Sequence, residues 1–193
     1  MPRLFALSLI SLILLAGCAS APPVRTAAQD KTFYAIVRAD TWSCQGTITL
    51  GIELPGSGWT SVPYAETEKS FPGASGFRDT ENGTRVIFLP VQERSSKLDR
   101  TLQDLLPVGA TMDGPVTRGV QEASVHFHRT NDGVTIYGWA RLWTVAMFMS
   151  SVGPHAGIVD MLAVVESPAS DARAIAPSSE ALKQVSVEET ACP

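Results

Sequence analysis

His126-Phe127-His128 places two imidazoles on one face of an extended segment, because side chains alternate along a strand. Such a pair can hold a metal ion when a third ligand arrives from elsewhere. His155 and Asp160 are candidates for that ligand, and Glu122 shares the face of the pair. Nothing in the spacing ties them together, and the competing reading is a solvent-facing strand with Phe127 turned inward. A second row, Tyr137, Trp139, Arg141 and Trp143, follows the same alternation. Left open, it is an aromatic ligand platform with Arg141 stacked or gripping an anion. Covered by another element, it is core with Arg141 at its edge.

Other motifs carry less. Gly56-Ser57-Gly58 and Gly73-Ala74-Ser75-Gly76 lack the Lys-Ser/Thr of a phosphate loop and read as turns. The chain has no Gly-x-Ser-x-Gly elbow and no His-Glu-x-x-His. Glu66 and Glu68 are neighbours without further support for acid–base work. No catalytic residue is assigned and no cofactor is implied. The one enzymatic reading left is metal-dependent hydrolysis at the histidines.

The strongest signal lies at the start. Arg3 precedes an apolar run from Leu4 to Leu15, which ends in Leu15-Ala16-Gly17-Cys18. The run is shorter than the roughly 20 residues a spanning helix needs. It has the three parts of an export signal: basic start, apolar centre and small-residue cleavage site. Leu15-Ala16-Gly17-Cys18 resembles the lipobox of bacterial lipoproteins. The resemblance covers about the first 20 residues and implies that residues 1–17 are removed. It also implies a diacylglyceryl thioether on Cys18 and an acylated (palmitate-class) amine. Several acyl chains anchor stably where one does not. Ala19 follows the cysteine instead of Asp, which favours the outer membrane, facing the periplasm, over the inner one. The alternative is an ordinary secretory signal cut near Ala21.

Loss of Arg3 with the leader takes the formal charge from −4 to −5. Nucleic acid is therefore an unsuitable partner, since its binding needs a basic face. Hydrophobic residues at 45% suit a globular domain. With Cys18 lipidated, Cys44 and Cys192 remain, and an even remainder in an oxidising compartment suggests a disulfide. A loop that long is worth on the order of 5 kcal/mol in the chain-entropy model. Two free thiols, pairing with another chain, or a nucleophilic Cys44 beside a histidine are the alternatives.

Residues 18–31 are small and polar with a Pro pair, a flexible tether. Residues 32–193 then read as one domain. Strands are expected at Phe33–Val37 and Cys44–Leu54, with a short return at Trp59 to Val62, and another strand at Arg85–Leu89. Residues 64–84 read as loop. A helix from Ser95 or Ser96 carries Leu98, Leu102, Leu105 and Leu106 at helical spacing and stops before Pro107. Val120–His128, the turn Asn131-Asp132-Gly133 and Val134–Phe148 form a hairpin. A last strand is expected at Ile158–Val165 and a helix at about Ser179–Val187. This order predicts an α+β fold: an antiparallel sheet of about 5–7 strands with helices packed on it.

That arrangement resembles the PsbP-like fold, named for an extrinsic subunit of the photosystem II oxygen-evolving complex. The matching residues are Ile48-Thr49-Leu50-Gly51-Ile52-Glu53-Leu54-Pro55 followed by Gly58-Trp59. The helix at Leu98–Leu106, the hairpin into Val134-Thr135-Ile136-Tyr137-Gly138-Trp139 and the C-terminal strand and helix add to them. The resemblance spans about residues 45–188. It implies a docking or accessory role and transfers no catalytic residue. The expectation is a lipid-anchored envelope protein that docks on a larger protein assembly. The alternatives are small-ligand or metal binding at Tyr137, Trp139 and Trp143 or at His126 and His128.

Overall fold

A computed structural model of the chain describes residues 31–40, 45–62, 74–91, 98–149, 153–168 and 172–191. The lipobox, the tether, Cys18, Cys44, Cys192, Glu66, Glu68 and the helix-opening serines at 95 and 96 lie outside them, as does the side chain of His155. Among the described residues no helix is long and apolar enough to cross a membrane.

Two antiparallel sheets face each other. The smaller holds β1 (Thr32–Asp40), β2 (Gln45–Glu53) and β11 (Ser186–Ala191), with β2 in the middle. The larger runs β3 (Trp59–Ser61), β4 (Ser75–Asp79), β5 (Arg85–Val91), β10 (Gly153–Ser167), β9 (Val134–Met149), β8 (Glu122–Asn131) and β6 (Thr111–Met112), with β7 (Thr117–Gly119) also on β8. The helices are short: α1 (Leu98–Leu105) and α2 (Ala176–Lys183), the latter entered through a 3-10 turn at Ala172–Ile175.

The α+β expectation of one sheet under helices, and the PsbP-like sandwich with it, is thus corrected to a mainly β fold with two sheets. Length explains the outcome. Two eight-residue helices span about 12 Å each at 1.5 Å per residue. The strands β9 and β10 have 16 and 15 residues, so each runs roughly 50 Å. Helices that short leave most of the sheet bare, and β1, β2 and β11 cover it instead. The C-terminal helix also ends sooner than expected. It stops at Lys183, and Ser186–Ala191 pairs with β2 as a strand.

Alternation then sorts the core. Ala35 and Val37 of β1 and Ile48, Leu50 and Ile52 of β2 turn inward. They meet Val86, Phe88, Trp139, Val145, Val159, Met161, Ala163 and Val165 of the larger sheet, and Ile175 and Leu182 close the end of this layer. The opposite face of the larger sheet carries Ile87, Ala123, Val125, Phe127, Ala140, Leu142, Leu162 and Val164. Leu102 of α1 packs there, fully buried, which contributes roughly 1.5–3 kcal/mol. A strand buried on both faces reads as an unbroken apolar run. Met161-Leu162-Ala163-Val164-Val165 is such a run, and none of it is exposed. The β8–β9 turn has Asp132 and Gly133 both at positive φ, the primed turn that fits strand twist.

Candidate functional site

The row Tyr137, Trp139, Arg141 and Trp143 lies on the face of β9 that looks toward the smaller sheet. Trp139 is buried between the sheets, and Trp143 is half-buried against the same cluster. Arg141 holds three elements together. Its Nε and Nη2 both donate to Glu122 Oε2 on β8, at 3.0 and 2.7 Å. Its Nη1 donates to the Leu182 carbonyl at 2.7 Å. That carbonyl sits in the last turn of α2, where partial negative charge collects and acceptors lack intrahelical partners. The guanidinium also lies over the Trp143 ring, 5.1 Å from its centroid. Within this row, Trp139 is sealed in the core and Arg141 is engaged by protein groups. Trp143 lines a cavity.

That cavity is a groove of about 500 Å³ between β9 and β11. Arg141, Trp143 and Val145 form its floor, and Val185, Val187 and Glu189 form the wall. β11, the edge of the smaller sheet, lies over β9 at this point. The groove has aromatic and aliphatic surface beside carboxylates, a composition suited to recognising part of another molecule.

His126 and His128 lie on the same face of the larger sheet as this row, opposite Trp139 and Tyr137 across the ladder. His126 is exposed, and His128 Nδ1 bonds the Asp113 carboxylate. Glu122 is on the same face but is bound to Arg141. Asp160 is not: it pairs in register with Thr144, on the α1 side of the sheet, and accepts a hydrogen bond from Thr144 Oγ1 at 2.8 Å. Among the described residues no three His, Cys, Asp or Glu side chains converge as a metal site.

One constellation escaped the sequence reading. Glu166 of β10 is 2% exposed and accepts from two arginines. Arg129 donates through Nε at 2.7 Å and Nη2 at 3.2 Å, and Arg85 through Nη2 at 2.9 Å. Cross-strand register on β5, β10, β9 and β8 makes this group, which is scattered over 81 positions in the chain. No local spacing signals it.

No protein-family model matches the chain, and no curated protein matches it. Among solved structures, the chain is similar to LpqN of Mycobacterium tuberculosis, whose crystal structure is described as that of a protein involved in cell envelope biogenesis. Identity is 11%, the match covers 84% of this chain and 92% of that one, and the TM-score is 0.49.

Proposed function

We propose that this chain is a lipid-anchored protein of the bacterial envelope whose domain docks a partner protein along the groove between β9 and β11. The lipobox resemblance at Leu15-Ala16-Gly17-Cys18 supports the anchor, and Ala19 supports an outer-membrane address. The observation that carries the docking role is Trp143. Its side chain lines the groove, with the Arg141 guanidinium over its ring. Tryptophan and arginine dominate binding hot spots because they combine large apolar area with a polar handle. The same oxidising compartment supports a Cys44–Cys192 bridge.

The groove is tested by affinity capture from envelope extracts with the wild-type chain and Trp143→Ala. A protein retained by wild type should be depleted at least tenfold with the variant, which is about 1.4 kcal/mol of lost binding. Circular dichroism of both chains checks that the fold is intact. Equal recovery by both would contradict the groove as the docking site. A small molecule released from wild type alone would favour the ligand-binding alternative.

A further inference from the structure

Sheet edges expose unpaired backbone groups, and proteins blunt them with short strands, bulges or charge. The edge strands other than β1 among the described residues are blunted. β3 has three residues, and β6 and β7 have two and three. β11 carries a register shift between Val187 and Glu189 and is rich in glutamate. β1 is neither short nor bulged, and its two charged residues, Arg38 and Asp40, stand at its C-terminal end. It is nine residues long, contains no proline, pairs with β2 in unbroken register, and has no strand on its other side among the described residues. Its outward side chains include Tyr34 and Ile36, 58% and 62% exposed, followed by exposed Arg38.

We infer that β1 pairs antiparallel with β1 of a second copy of this chain, joining two three-stranded sheets into one across a two-fold axis at Ile36. The occupant follows from self-complementarity. A two-fold interface sets each residue against a fixed counterpart. With the axis at Ile36, the two Ile36 side chains meet, and Tyr34 faces Arg38 of the second copy, twice over. An aromatic ring opposite a guanidinium is attractive, as is the apolar central pair. On the inner face Ala35 meets Val37 and Phe33 meets Ala39, small against large. Moving the axis to Arg38 sets two cations against each other, and moving it to Tyr34 sends Arg38 beyond the strand. The Ile36 register uses all nine residues and opposes no like charges among Tyr34, Ile36 and Arg38. This inference does not depend on the lipid anchor or on the groove.

The test is disulfide trapping in the envelope with full-length chains. Wild type, which carries Cys44 and Cys192, serves as the background. Ile36→Cys is expected to give a covalent homodimer on mild oxidation. Tyr34→Cys alone should stay at background, because its two copies lie four residues apart along the joined strand, about 13 Å. Co-expressed Tyr34→Cys and Arg38→Cys chains should cross-link to each other. Sedimentation of the detergent-extracted chain gives a second reading, in which Ile36→Lys weakens self-association about tenfold by opposing like charges. Ile36 is exposed, so the variant should keep its circular dichroism and melting temperature. Three results would each overturn the inference: no Ile36→Cys homodimer, equal trapping at Tyr34, or a different protein trapped at Ile36. A wild-type chain that sediments as a monomer would do the same.

Discussion

Glu166→Ala is expected to destabilise the domain by about 3–5 kcal/mol, the range for removing one partner of a buried ion pair. The carboxylate is 2% exposed, and the side chains of Arg85 and Arg129 are only 17% and 15% exposed. Truncation leaves two guanidiniums with little water and no counter-charge, and that is the larger part of the cost. Glu166→Gln keeps the shape and some hydrogen bonding, so it should fall between alanine and wild type. Urea denaturation of the three chains, followed by tryptophan fluorescence, measures the order. A loss below about 1 kcal/mol for alanine, the level of an exposed pair, would contradict this assignment.

Gly138→Ala is the second large effect. A methyl group at this position of β9 would lie 2.1 Å from Phe127 Cζ and 2.5 and 2.6 Å from Cε1 and Cε2. Phe127 is fully buried with Leu102, Leu162 and Val164, so its ring has little room to withdraw. The expected cost is about 2–3 kcal/mol, the upper part of the range for overpacking. Gly138 also sits directly opposite Glu166. The double variant Gly138→Ala with Phe127→Leu separates steric from other causes. Shortening the ring should recover about 1 kcal/mol or more relative to the sum of the single effects. Strict additivity in thermal melts would contradict the overlap.

Much of the larger sheet was legible. The Asn131-Asp132-Gly133 turn and the alternation beyond it predict β8 and β9, and even the division of β9 into two faces. The helix at Leu98–Leu105 is legible from its leucine spacing. β4 was hidden because Gly76 reads as turn punctuation. In the fold, Gly76 is where β5 passes closely, with Val86 O 2.5 Å from where a Cβ would be. β11 was hidden for the opposite reason. Ser186–Ala191 is mostly polar and exposed, so no apolar pattern marks it, and its order comes from backbone pairing to β2. Missing that strand turned a two-sheet fold into a helix-covered one. In the candidate site, sequence found the row Tyr137 to Trp143 but not its division of labour. Which ring is sealed and which lines a groove depends on where β11 lies, a non-local fact. The Glu166 pairings have the same character, since register sets them and residue spacing does not.

The central claim is that the chain is carried on the envelope by lipid at Cys18. Intact mass spectrometry of the protein extracted from membranes, without reductant, tests it in one spectrum. The account predicts a mature chain beginning at Cys18, heavier than its sequence by a diacylglyceryl group and an acyl chain. It further predicts a mass lower by the hydrogens lost in joining Cys44 to Cys192. An unacylated chain beginning after Ala21 would contradict the anchor, and a spectrum unchanged by reductant would contradict the bridge.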